Sequence, residues 1–120
     1  MIYVSVNDTK IPATITGRVR DSAWGDRESK TITVEMTYEE AKELFVEDVQ
    51  WSIIETYEIQ TMEYDEDGNP NVVTKIEELV YDNSEYSLAG DLTDHRDGTV
   101  SVKMGKPTAQ ELLALVEEAF

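Results

Sequence analysis

The chain has no cysteine among its 120 residues. That removes disulfides, thiolate nucleophiles and cysteine–zinc sites together, and it fits a chain folded inside a cell. Histidine occurs once, at His95, so imidazole chemistry rests on one position. Proline occurs three times and glycine six, and no low-complexity tract, linker or internal repeat is present. Long apolar runs are missing too. The nearest, "LLALV" at 112–116, is far short of the ~18 residues a membrane helix needs, so no membrane association is expected. The start, "MIYVSVNDTK", lacks a basic segment followed by an apolar one and does not read as a signal peptide.

Basic residues are also few, 10 against 26 acids, for a net charge of −16. The excess is local. Residues 1–36 carry five acids and five bases, residues 37–94 carry seventeen and two, and residues 95–120 carry four and three. Such a field repels phosphate backbones and anionic membranes, so no direct nucleic-acid binding is expected, and it attracts basic protein surfaces. The plain alternative is that the acids only keep the protein soluble.

What is present reads as one α+β domain over residues 1–120. "MIYVSV" alternates through Ile2, Val4 and Val6, and "IPATITG" through Ile11, Ala13 and Ile15, with turn chemistry in "NDTK" between them. Pro12 cannot donate to a strand ladder and belongs near an edge or strand start. "GRVRDSAWGDRES" reads as a loop or irregular strand end. "KTITVEM" alternates cleanly through Ile32, Val34 and Met36. The period then changes. Thr37 with Glu40 three residues on is a capping box, and Tyr38, Ala41, Leu44 and Phe45 share one helical face.

"WSIIETYEIQTMEY" and "NVVTKIEELVY", separated by the turn "DEDGNP", predict a long β-hairpin over about 50–64 and 71–82, each arm longer than ~35 Å. "SEYSLAG" predicts a short strand, "DLTDHRDG" a turn, and "TVSVKM" a strand with Val100, Val102 and Met104 inward. "PTAQELLALVEEAF" opens with a second capping box at Thr108 and Glu111. Its stripe of Leu112, Leu115, Val116 and Ala119, widened by Leu113 and Phe120, predicts a helix that packs on the sheet or meets a partner. The fold expected is thus a mainly antiparallel β-sheet with a long β-hairpin and two short amphipathic helices, one C-terminal.

No motif here specifies catalysis, a cofactor or a metal. In "TDHRDG", Asp94 and Asp97 flank His95, but Asp-Gly between alternating segments is a hairpin signal, and neighbours on a strand point to opposite faces. "DEDGNP" begins like a calcium loop, with Asp65, Asp67 and Asn69 at positions 1, 3 and 5. Pro70 then stands where glycine is required and Ile76 where glutamate is. "WGDRESK" sets Trp24 beside Arg27 and Lys30, which reads either as a binding patch with an aromatic anchor or as cover for a core edge. The remaining candidates are partner-binding residues: the hairpin acids Glu55, Glu58, Glu63, Asp65, Glu66, Asp67, Glu77 and Glu78, together with Trp24.

"SKTITVEMTYEEAKELF" and "YDNSEYSLAGDLTDHRDGTVSVKMGKPT" resemble small proteins encoded by phages and prophages of Gram-positive bacteria. The resemblance covers about half the chain and implies an accessory or structural role near tail and baseplate proteins. It places the chain in the bacterial host cytoplasm during infection or in the assembled virion, and it assigns no functional residue. Two expectations follow. One is a non-catalytic phage component acting through protein–protein contact, with itself as a homo-oligomer or with another protein. The other is an acidic nucleic-acid mimic, of the anti-CRISPR kind, that inhibits a basic, nucleic-acid-binding host defence protein. Mimicry requires acids gathered on one face, whereas a structural part calls for scattered acids with an apolar patch or an open strand edge.

Overall fold

The computed structural model describes residues 1–118, with side chains through Ala114. The elements run β1 (Ile2–Val6), β2 (Thr9–Asp21), a 3-10 turn (Ser22–Trp24), β3 (Arg27–Glu35), α1 (Tyr38–Leu44), β4 (Trp51–Tyr64), β5 (Pro70–Asp82), β6 (Leu88–Asp94), β7 (Thr99–Gly105) and α2 (Ala109–Glu118). The architecture is a mainly antiparallel sheet with two helices, one of them C-terminal. Its seven strands lie in the order β5-β4-β1-β2-β3-β7-β6.

β1 and β2 are joined by two residues, Asn7 and Asp8, at φ 50° and 63°. Paired left-handed residues make the hairpin turn whose twist matches that of the flanking strands. β2 then changes partner. It faces β1 from Thr9 to Pro12 and β3 from Ala13 to Asp21. Counting from the two-residue turn, Pro12 falls at a position whose nitrogen points away from β1, just where the β3 ladder has not yet begun, so its missing N–H costs no bond.

Both halves of the sheet feed one core. Val4 and Val6 come from β1, Ile32 and Val34 from β3, Val100, Val102 and Met104 from β7, and Ala41 and Phe45 from α1. Ala89 and Leu92 of β6 pack against this core, whereas β5 adds nothing to it. Trp51 completes the core. Its Nε1–H donates to the Tyr86 carbonyl at 3.1 Å, and the two rings meet edge to face at 6.2 Å. The molecule measures 71 × 40 × 25 Å, with a radius of gyration of 19.4 Å.

Of the two readings open for "GRVRDSAWGDRES", residues 17–21 and 27–29 form the irregular strand end: Gly17 pairs with Lys30 and Arg18 with Ser29 before a bulge lets Asp21 meet Arg27. Two boundaries differ from the sequence reading. "DLTD" belongs to β6, and the turn is confined to 95–98, closed by the His95 N–H donating to the Thr99 carbonyl at 3.2 Å. "SEYS" is not strand. The Tyr86 N–H donates to the Asn83 carbonyl at 3.0 Å, and the Ser87 carbonyl accepts from the Asp48 N–H at 2.8 Å.

The caps are formed. Thr37 Oγ1 accepts from the Glu40 N–H, and Thr108 and Glu111 exchange both bonds of a capping box at 3.2 and 2.9 Å. Leu112 corrects the burial expected of the last helix: it is 51 % exposed at the helix's first turns. Leu115, Val116, Ala119 and Phe120 lie outside the residues whose side chains are described.

Candidate functional site

β4 and β5 pair continuously from Ser52–Asp82 to Tyr64–Pro70, leaving Asp65–Asn69 as the connecting loop. In that loop the Asp65 carboxylate accepts from the N–H groups of Asp67 and Asn69 at 2.9 and 2.8 Å. The lead carboxylate of the calcium-like sequence therefore ties its own backbone together.

Register assigns every ribbon side chain to a face, because directly opposed residues share one. Val4 and Val6 are core residues opposite Ile53 and Trp51, so odd-numbered β4 residues lie on the core side. Glu55, Glu63 and Glu77 share that side. Glu58 and Glu78 lie on the other, while Asp65, Glu66 and Asp67 occupy the loop. The eight acids are thus divided between two faces and a tip. Two are already paired: Glu78 with Lys10, and Glu63 with Lys75 at 3.6 Å.

Apolar side chains are spread over the same ribbon. On the outer side Met62, Val72, Ile76 and Val80 are exposed, and on the core side beyond the core itself Tyr57, Leu79 and Tyr81 are. Ile76 is 71 % exposed and Val72 63 %. β5 ends the sheet, so one side of its 13 residues has no neighbouring strand. The direction of its free backbone groups is fixed. The Asp65 N–H donates to the Asn69 carbonyl and the Asn83 N–H to the Trp51 carbonyl, which makes the odd-numbered β5 positions the ones bonded to β4. The even-numbered positions, from Val72 to Asp82, send their N–H and C=O outward.

Trp24 does not join this surface. Its ring lies on the β6–β7 pair at the opposite end of the strand order, over Gly90 and Gly105. A Cβ on either glycine would come within 2.7 Å of the indole. Neither glycine has a left-handed φ, so close approach is what excludes a side chain. The Arg27 guanidinium sits 5.0 Å from the Trp24 ring, while Arg27 Nε donates to the Trp24 carbonyl and Nη1 pairs with Glu111 at 2.7 Å. Lys30 goes elsewhere: its ammonium bonds Asn83 and lies 4.5 Å from the Tyr86 ring centre. The patch read as Trp24–Arg27–Lys30 is therefore split, and its tryptophan covers strands.

Lys103 and Lys106 are also tied to acids. Lys103 pairs at 2.7 Å with Asp21, whose side chain is wholly shielded from solvent and also accepts from Ser29 and the Ala23 N–H. The Lys103 bond chiefly, with the others, holds the Asp21 carboxyl below its usual range. Glu28 bonds the Tyr86 hydroxyl and Lys106, and those bonds lower its pKa; burial, then the Glu28 carboxylate, pushes the Tyr86 phenol well up. These are structural polar contacts at the far end of the core.

His95 stands on the exposed turn, and its Nε2 meets Ser101 Oγ at 2.7 Å. Sequence reading missed this pair because the two residues are diagonal across a turn whose length becomes clear only with the β6–β7 register. Ser101 Oγ also lies 2.7 Å from Thr33 Oγ1 on the neighbouring strand. An activated serine needs its base oriented by a third group and a place for an oxyanion. Asp94 and Asp97 instead accept from the backbone N–H groups of Arg96 and Thr99, at 2.9 Å each. A cleft of about 780 Å³, lined by Ile11, Ala13, Ile15, Val34 and Glu35 among others, brings no such set together. Among the described residues no cluster of three or more metal-ligating side chains occurs, and no helix is long and apolar enough to cross a membrane.

No family model matches the chain, and no curated protein and no solved structure matches it either.

Proposed function

We propose that this protein works without catalysis, through protein–protein contact, as a structural or accessory component of a phage particle, made in the bacterial host cytoplasm and carried into the assembly. One observation carries the reading. The β4–β5 ribbon is a long hairpin that ends in an open strand edge, with exposed apolar side chains on both faces. Unpaired edges with such flanks are natural templates for strand addition. The resemblance to phage-encoded tail and baseplate neighbours agrees with it. The division of Glu55, Glu63 and Glu77 from Glu58 and Glu78 speaks against mimicry, which needs one continuous acidic face. The acids then serve to keep an apolar ribbon soluble and away from wrong partners.

The test replaces Glu55, Glu58, Glu63, Glu66, Glu77 and Glu78 together by glutamine. Particles purified from a host carrying the gene are examined by mass spectrometry for the wild-type chain and the variant. Both chains should be incorporated, with the variant less soluble when expressed alone. The reading is overturned if neither enters particles and the wild type alone displaces a basic host protein from duplex DNA in a salt-sensitive manner.

A further inference from the structure

We infer that the open edge of β5 pairs with β5 of a second copy of this chain, antiparallel about a two-fold axis through Ile76, an inference that names the partner in the interaction reading above and rests on it. Backbone direction sets the first constraint. Only even-numbered residues offer N–H and C=O groups at this edge, so an even-numbered residue must face an even-numbered one. Registers therefore differ by steps of two.

Side chains select among them. With Ile76 opposite its own copy, Lys75 faces Glu77 of the second chain twice over. Val73 then faces Leu79, Val72 faces Val80, and Pro70 faces Asp82. Ile76 is the midpoint of the Pro70–Asp82 strand, so this register also overlaps the edges fully. Slipping by one step one way sets Lys75 against its copy, and the other way sets Glu77 against its copy; like charges directly opposed are destabilising. Pro70, which has no N–H, falls at the very end of the ladder and costs a single bond at each end. Glu78 faces Thr74, and its charge is already met by Lys10 in its own chain.

Such a seam covers Ile76, Val72, Val80 and Leu79, four of the exposed apolar side chains of the ribbon. It joins two seven-stranded sheets into one. Each copy carries −16, so long-range repulsion opposes association while Lys75–Glu77 contacts favour the register. Salt screens the first more than the second, and dimerisation should tighten as salt is added.

The absence of cysteine gives a clean test. In Ile76→Cys the two sulfur-bearing residues would face each other with Cα atoms about 5.5 Å apart, within disulfide reach. In Thr74→Cys or Glu78→Cys the like residues would lie four positions apart along the seam, ~13 Å, out of reach. Mild oxidation should convert Ile76→Cys to a covalent dimer and leave the other two uncrosslinked. Light scattering on the unmodified chain should give twice the monomer mass. Lys75→Glu should weaken the dimer tenfold or more, and Lys75→Glu with Glu77→Lys should restore it. A monomeric wild type with no Ile76→Cys dimer, preferred crosslinking at 74 or 78, a dimer indifferent to Lys75→Glu, or a strand of a different protein occupying this edge would each overturn the pairing. A monomer that still enters particles would sink the pairing alone; a dimer absent from particles would sink the proposed function alone.

Discussion

Adding one methyl group at Gly105 should destabilise the protein while Trp24 is present and stabilise it once Trp24 is gone. The new Cβ would stand 2.7 Å from Trp24 Cζ3, 3.0 Å from Cη2 and 2.9 Å from Arg27 Cδ, against 3.4–4 Å for ordinary contact. The arginine stem can move aside. The indole cannot do so freely, because it also rests on Gly90 and carries the Arg27 guanidinium on its ring. Overpacking of this size costs about 1–3 kcal/mol. In a Trp24→Ala background the clash with the indole vanishes and the Arg27 stem has room to yield, and alanine gains about 0.5–1 kcal/mol over glycine in a strand. The coupling between the two positions is then about 1.5–4 kcal/mol. Urea unfolding of the four proteins in the cycle measures it, with fluorescence of Trp51, 2 % exposed, as the probe in every background. At a slope of ~2 kcal/mol/M the wild-type and Trp24→Ala backgrounds should show midpoint shifts of opposite sign, approaching ~1 M in the first. Equal shifts in both, within about 0.5 kcal/mol, would refute the glycine-platform argument.

Other substitutions report on separate features. Thr37→Ala removes the side-chain acceptor at the start of α1 and should cost about 1 kcal/mol in the same unfolding assay. His95→Ala, on an exposed turn, should change stability by no more than about 0.5 kcal/mol; a larger loss would mean the contact with Ser101 supports the fold. Leu112→Ala should cost less than about 1 kcal/mol, since half its side chain already meets water; a cost near that of a core leucine would show that α2 packs differently. Glu111 is held down to about 2 from 4.5, first by the Thr108 N–H and then by Arg27. Its contribution is therefore complete above pH 4.5 and is lost as pH falls toward 2. Glu111→Gln should flatten that part of the stability profile, and unchanged pH dependence between pH 5 and 2.5 would show that its bonds do not outlast solvent competition.

Much of the fold was readable because alternation and capping are local. Val100, Val102 and Met104, the Thr37 and Thr108 caps and the Asn7–Asp8 turn each declare themselves within a few residues. The misreadings occurred where local pattern and long-range pairing part company. Residues 18–20 carry no inward apolar side chain, Val19 being 86 % exposed, so "GRVRD" leaves loop and irregular strand end undecided. Asp21 is a buried carboxylate made tolerable by Lys103, 82 positions later in the chain. The seating of Trp24 on Gly90 and Gly105 joins residues far apart in the chain, so no local pattern announces it. The acids at 55–78 were visible as a list, but their separation into two faces followed only from register, and the open side of β5 only from strand order.

The 71 Å long dimension has a consequence for hydrodynamics. A globular chain of this length has a radius of gyration of about 14 Å, well under the observed 19.4 Å. An elongated particle experiences more friction than a sphere of its mass. A gel-filtration column calibrated with round standards will therefore report an inflated size for a single 13.6 kDa chain. Early elution does not distinguish a rod-like monomer from a compact pair, whereas scattering intensity and sedimentation, which weigh the particle, do.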